Sequence, residues 1–371
     1  MDTLKDTKYA SQAQKNVSVG EIIYGRLESK GMKQSELCDL TGIAKPILND
    51  VIKGRRNLTA EMAVLIESAL GLSADQLLMV QMQNELDRAY NDSKIINQLQ
   101  CMSNWEIMSK YLSLPVLKKL GLPNSGVKDK VSMAMEMFHT TDIEEFNKIA
   151  EQEQEQAYYK KSEKLIVDKK ALFTWKYYCI DVASKTAIST SFNKNAIENL
   201  KQEAKFILLK NNDTYNRMQK AFNSYGIRLL YINKEGQVPV DGMSFWFGEN
   251  PTVVITRRLQ NIDNFAFAVM HELGHIKMHL KKDCQALVNL DGKDIDEKEA
   301  QANDYARDAF ISKEEWDKFM SQIKDINPYT VYLPIKEVAR KHNVNPQILY
   351  GRYMHDTGLY RLQRVFTTEI R

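Results

Sequence analysis

IDNFAFAVMHELGHIKMHL, residues 262–280, is the stretch on which the reading of this chain turns. Ile262, Phe265, Ala266, Val269, Leu273, Ile276 and Leu280 recur at helical spacing, which predicts a helix with one buried stripe. Within it His271, Glu272 and His275 form H-E-x-x-H. Residues four apart on a helix share a face, so both imidazoles can reach one zinc ion from the same side. Glu272 is not a ligand in that arrangement. It faces the open position, where it can take a proton from water. His271 and His275 are expected off the apolar stripe, and His279 extends their row by a turn as a supporting or packing residue.

A zinc site of this kind needs a third protein ligand. DEKEAQANDYARDAFI, residues 296–311, also reads as helix. Glu299, Ala302, Ala306 and Ala309 share one of its faces. The small residues would let this helix approach the first closely, and Glu299 is the expected third ligand.

MHELGHIKMHL (270–280) together with EAQANDYARDAFI (299–311) resembles the ImmA/IrrE metallopeptidases, which pair H-E-L-G-H with E-x-E-A-N-x-F-A on a later helix. The resemblance places the first glutamate of the second motif on Glu299. Gln301 stands at the second and cannot be an anionic ligand. Tyr305 replaces a common phenylalanine, and Ser312 a common proline. Upstream, GIRLLYIN (226–233), VDGMSFWF (240–247) and PTVVITRR (251–258) read as strands leading into the zinc helix. An extended substrate could join such a sheet as a further strand.

The N-terminal part carries a separate signal. Helices are expected over 19–31, 32–40, 44–53 and 60–70, with Thr41-Gly42-Ile43 as a tight turn between the second and third. KQSELCDLTGIAKPILNDVIKGRRNLTAEMAVLIESALG resembles the Xre (Cro/repressor-like) group and, within it, the HigA-type antitoxins. The resemblance implies that the third helix enters the major groove of DNA. Lys45 and Asn49 are then the base-facing residues, suited to guanine and adenine edges. Gln34 meets a phosphate, and Lys53, Arg55 and Arg56 suit the backbone. Residues 1–80 hold ten Lys+Arg and ten Asp+Glu, so DNA affinity must come from a local patch and not from bulk charge.

The 371 residues exceed what one core usually supports. Hydrophobic content of 43% and charged content of 27% are those of a globular protein. Cys38, Cys101, Cys179 and Cys284 are scattered, with no C-x-x-C pair, and read as reduced thiols. No run is apolar enough to span a bilayer and no secretory signal opens the chain, so a cytoplasmic protein is expected. Residues 144–164 read as a solvated polar helix. Leu114-Pro115 and the segment Gly121 to Gly126 break the helical middle, and no Gly-rich phosphate loop occurs. The expected fold class is mainly α with a small β-sheet. An N-terminal helix-turn-helix bundle (1–91) precedes a helical middle region (92–215) and a C-terminal α+β zincin-like metallopeptidase domain (216–371).

The two resemblances together imply a DNA-binding transcriptional regulator with a zinc endopeptidase domain. Its partners would be a double-stranded operator and a specific regulatory protein, a repressor or antitoxin-like partner, that it cleaves. The alternative is a HigA-like antitoxin that neutralises a toxin by binding, with the peptidase fold as scaffold. A homodimer fits either. Lys45→Ala or Asn49→Ala should reduce discrimination between operator and random duplex by about 1–3 kcal/mol in a binding titration. Arg55→Ala and Arg56→Ala should weaken both duplexes alike and flatten the salt dependence. Equal affinity of wild type for both duplexes would remove the base-reading role.

Overall fold

A computed structural model describes residues 17–122, 126–159, 168–233, 240–257, 260–280, 282, 287–290, 297–363 and 365–371. The chain divides into two compact units, Met1–Met102 and Ser103–Arg371. Cys284, the break at Pro123 to Ser125 and the end of the polar stretch beyond 159 lie outside the described residues.

The first unit holds α1 (Val19–Ser29), α2 (Gln34–Thr41), α3 (Lys45–Ile52), α4 (Ala60–Leu70) and α5 (Ala74–Asn91). Ser18 and Glu21 form a capping box at the start of α1, each side chain accepting from the other's backbone N–H at 3.1 and 2.7 Å. Gly42 ends α2 in the left-handed region, φ 69°, and Pro46 sits in the first turn of α3. The short turn this makes is the expected helix-turn-helix. Ile23, Leu37, Leu48, Ile66 and Leu70 meet in one core. Gly20 lets α1 cross α3 at backbone contact, since a Cβ there would lie 1.9 Å from the Ile52 carbonyl oxygen. Arg26 Nε donates to the Leu70 carbonyl at 3.1 Å and ties α1 to the end of α4.

The boundary between units falls within α6 (Ser93–Ser109). The second unit continues with α7 (Leu114–Lys119), α8 (Val127–Met137), α9 (Ile143–Tyr159), α10 (Lys169–Lys185), α11 (Ile197–Lys210) and α12 (Thr214–Ser224). Strands β1 (Arg228–Ile232), β2 (Val240–Phe247) and β3 (Asn250–Thr256) lead into α13 (Ile262–Met278). Beyond it lie β4 (Leu287–Leu290), α14 (Glu297–Asp308), α15 (Lys313–Gln322), α16 (Tyr332–Lys341) and α17 (Pro346–Thr357). The sheet order is β1-β3-β2-β4, with β1 parallel to β3 and the other pairs antiparallel.

Both faces of this sheet are covered, so its strands are apolar almost throughout. Side chains alternate between faces with period two. Leu229, Val253 and Ile255 share a core with α13, whereas Leu230, Val240, Met243, Phe245 and Val254 share another with Trp175 and Cys179 of α10. Ile197, Leu200, Ala204, Ile207 and Leu208 of α11, assigned from sequence to the middle region, belong to the α13 core.

Neither β4 nor α15 was anticipated. Strand β4 is only four residues long, too short for a periodic signal. Helix α15 is mostly polar, but Ser312 caps it, its Oγ accepting from Glu315 N–H at 3.3 Å, and Trp316 and Phe319 are buried. Among the described residues no helix is long and apolar enough to cross a membrane.

Gly20→Ala should destabilise the first unit by about 1–3 kcal/mol, because backbone and not a pliable side chain blocks the new methyl. Gly25 has nothing within 4 Å of its Cβ position. Gly25→Ala should therefore be neutral or stabilising, by up to about 1 kcal/mol. Denaturant unfolding of the two variants checks the contrast.

Candidate metal centre

Helix α13 is the axis of the second unit. Its start is clamped by the chain's end: Ile262 N–H donates to the Thr368 carbonyl at 2.7 Å, and Asn261 bridges Glu369. Helix α17 closes on the first turn, where Gly351 leaves room for the Asp263 carboxylate and Gln347 Nε2 donates to it at 3.3 Å. The sequence predicts one buried stripe with the histidines off it. The helix is instead buried on nearly every side, including His271, Glu272 and His275, which are 0 to 1% exposed. Periodicity registered only the apolar face; the polar face is covered by two other elements.

The first cover is α14. Gly274 of the H-E-x-x-H run faces it, and a Cβ there would come within 3.1 Å of Tyr305 and 3.4 Å of the Ala302 Cα. Ala302 and Ala306 are fully buried. The small residues on both sides bring Glu299 to the two histidines. His271 Nε2 lies 3.2 Å from Glu299 Oε2, and His275 Nε2 lies 3.2 Å from Glu299 Oε1. One ligand atom from each of the three residues falls within 4.8 Å of the others. Among the described residues this is the only such cluster of potential ligands.

The second cover is β2. Gly242 and Ser244 are two apart in the strand and face α13, while Met243 between them faces α10. The Ser244 hydroxyl donates a short hydrogen bond to Glu272 Oε2. A Cβ at Gly242 would lie 2.4 Å from Glu272 Oε1. The carboxylate therefore rests against bare backbone, with Oε1 buried and without a hydrogen-bond partner among the described residues. Buried carboxylate oxygens are costly to leave unpaired. This one sits beside three convergent nitrogen and oxygen donors, the donor set that suits zinc.

The charges are coupled. Burial pushes the Glu299 carboxyl up, but the two imidazoles that donate to it outweigh this and hold it at about 2. Burial disfavours the charged form of His271, yet its bond to Glu299 and the nearby Glu272 and Glu299 charges raise its pKa above the ordinary value. Burial raises the Glu272 carboxyl against the pull of both histidines and Ser244. Outer partners orient the rings. His271 Nδ1 meets Asn303 Oδ1 at 2.9 Å, His275 Nδ1 meets His279 Nδ1 at 3.0 Å, and His279 Nε2 meets Gln301 Oε1 at 2.9 Å.

Residues 222–353 match the family described as the IrrE N-terminal-like domain, a peptidase family. Residues 23–77 match the helix-turn-helix family. The chain thus joins a helix-turn-helix DNA-binding module to an IrrE-like peptidase domain. No curated protein matches it. A crystal structure described as that of a hypothetical protein from E. coli is 26% identical, covering 22% of this chain and 86% of that one, with a TM-score of 0.22.

On the helix-turn-helix module, Lys45, Lys53, Arg55 and Arg56 are exposed on and just after α3, and Asn49 is half-buried. Leu48 and Val51 turn the opposite face of α3 into the core. Arg55 Nη1 stands 3.9 Å from Asp50 Oδ1 in an exposed pair of little energetic weight. Gln34 is half-buried at the first position of α2, its Nε2 without a partner among the described residues.

Sequence reasoning missed Gly242, Ser244 and Asn303. Asn303 was within reach of it, one turn after Glu299 on the same face. The alternation of β2 could place Gly242 and Ser244 on one face, but not name the helix beneath. Gly242→Ala should destabilise the second unit by about 1–3 kcal/mol, because the new methyl would meet Oε1, Cδ and Cγ of the buried Glu272 side chain at 2.4 to 2.9 Å. Denaturant unfolding, with a displaced Glu272 in a crystal structure of the variant, checks this.

Proposed function

We propose that this chain is a transcriptional regulator whose C-terminal unit is a zinc endopeptidase acting on a specific regulatory protein, a repressor or antitoxin-like partner. The observation that carries the proposal is the convergence of His271, His275 and Glu299 beside the unpartnered Oε1 of a buried Glu272. Those three residues would hold the ion. Zinc bound there supplies a Lewis acid that polarises a peptide carbonyl and makes water easier to deprotonate.

The chain's own groups do the rest. Ser244 occupies Glu272 Oε2 and leaves Oε1 without a partner among the described residues, available to accept from a substrate water. Burial, which raises the Glu272 pKa, makes this carboxylate a better base than an exposed one. Glu272 takes a proton from the water as its oxygen bonds to the scissile carbonyl carbon. It then gives that proton to the departing amine nitrogen as the C–N bond breaks. The edge strand β4 offers a place for an extended substrate to pair. The N-terminal module would bring the peptidase to an operator, with α3 in the major groove. A cytoplasmic setting suits both activities.

His271→Ala, His275→Ala and Glu299→Ala should each lower the zinc content of purified protein, whereas Glu272→Gln should keep zinc and lose proteolysis of the regulatory protein that wild type cleaves. Full zinc retention in Glu299→Ala would exclude Glu299 as a ligand. If Glu272→Gln neutralises a neighbouring toxin as well as wild type, neutralisation proceeds by binding and the antitoxin reading replaces this one.

Zinc and a proton compete for the His271 ring. Its raised pKa means that the proton is held to higher pH than on a free histidine. Zinc affinity should therefore be constant above that raised value. It should fall by about tenfold per pH unit below it for each proton displaced, as read by zinc titration across pH.

A further inference from the structure

Tyr305 lies against the bare backbone of Gly274, the residue just before His275 in the H-E-x-x-H run. A Cβ at Gly274 would come within 3.1 Å of Tyr305 Cδ1 and 3.3 Å of its Cβ. The far end of the tyrosine is pinned. Its hydroxyl donates at 3.3 Å to Oε1 of Glu198, in the first turn of α11. Lys277, in the last turn of α13, donates a short hydrogen bond to the same oxygen. Lys201, one turn along α11, pairs with Glu198 Oε2. The ammonium groups of Lys201 and Lys277 each stand 5.1 Å from the centroid of the Tyr305 ring, close enough to be attracted by its face. One carboxylate on α11 thus holds a side chain of α13 and a side chain of α14 together.

The face that α14 turns to α13 is made of Ala302 and Ala306, both fully buried. Alanines let two helices come close, but they offer little relief to stop one rolling on the other. With 3.6 residues per turn, Asn303 and Tyr305 fall on opposite flanks of this alanine seam. Asn303 holds one flank, through His271. Tyr305 holds the other, through Glu198. We propose that Glu198 is a positioning residue of the metal centre, which sets through Tyr305 and Lys277 the roll of α14 that brings Glu299 to His271 and His275. The proposal rests on the metal reading above. Glu299 and Tyr305 share one helix and lie about 9 Å apart along its axis at 1.5 Å per residue. A roll at Tyr305 is therefore felt at Glu299. Glu198 precedes residues 222–353, so a residue upstream of the family match takes part in building the site.

In the full-length protein, competition with a chromophoric zinc chelator should show a site about tenfold weaker in Glu198→Ala, as for other residues that support metal ligands. Tyr305→Phe removes only the hydroxyl and should lose affinity in the same direction, but less. Both changes act through one hydrogen bond, so the double variant should lose less than the product of the two single losses. Glu198→Gln keeps an acceptor for the tyrosine hydroxyl and should recover part of the loss. Ile207→Val is the control. It trims a buried apolar side chain of the same helix and leaves the polar link alone. It should lower the denaturant midpoint and keep wild-type zinc affinity.

Cobalt(II) loaded in place of zinc supplies a readout that stability alone would not move, because its visible absorption follows ligand geometry. The spectrum should change in Glu198→Ala and keep its wild-type form in Ile207→Val. Wild-type zinc affinity in Glu198→Ala overturns the proposal. A loss no greater than that of Ile207→Val does so too, as do single losses that multiply in the double variant. Failure of wild type to take up zinc would instead overturn the metal reading. Crystal structures of the metal-free wild type and Glu198→Ala would then still test the positioning role. Glu299 should move away from the two imidazoles in the variant, and an unmoved Glu299 would overturn that role.

Discussion

Placing Glu272, His271 and His275 inside a helix that is buried on nearly every side is the constraint to which the second unit is built. Ionisable groups out of water are tolerated only when each finds a partner. Here the partners come from opposite directions. Helix α14 brings Glu299, Asn303 and, through His279, Gln301; strand β2 brings Ser244 and the bare backbone of Gly242. The sheet cannot shift against α13 without stranding Glu272, and α14 cannot shift without stranding both histidines. The apolar cores on the two sides of the sheet hold these elements at the required distances.

Glycine and alanine do as much for this geometry as the charged residues. Gly274 and Ala302 let two helices approach until a carboxylate on one spans two imidazoles on the other. Gly242 makes the space that the Glu272 carboxylate fills. The same device appears in the first unit, where Gly20 allows α1 to lie against the Ile52 carbonyl at the end of α3. In each case the missing side chain sets how near two backbones come, and that distance sets what the neighbouring polar groups can touch.

The polar support around the cluster is asymmetric in a useful way. Glu272 is held at one oxygen only, by Ser244, and its other oxygen is free of protein partners among the described residues. His271 and His275 are held at Nδ1, and both turn Nε2 toward Glu299. The bonds from Ser244 and at the two Nδ1 atoms thus lie on the outer sides of these residues, while both Nε2 atoms converge on Glu299. That arrangement is what a site needs if an ion and a water are to be taken up without rearrangement of the protein.

Much of this was legible in the residues alone. Local rules suffice for helix α13, the capped and glycine-terminated helices of the helix-turn-helix module, the strands ahead of α13, and the pairing of H-E-x-x-H with Glu299. Each depends on spacing within a few residues or on a motif of two short segments. What the chain could not reveal by itself is which surfaces meet. Burial of the polar face of α13 is decided by β2 and α14, which are separate in sequence. Ser244 and Gly242 gain their roles only because the period-two alternation of β2 happens to face Glu272. Gln301 looks like a lost ligand until the fold sets His279 beside it. Sequence periodicity determines how each element presents its residues; only tertiary packing determines what those residues find across the gap, because that depends on distances between segments no local pattern encodes.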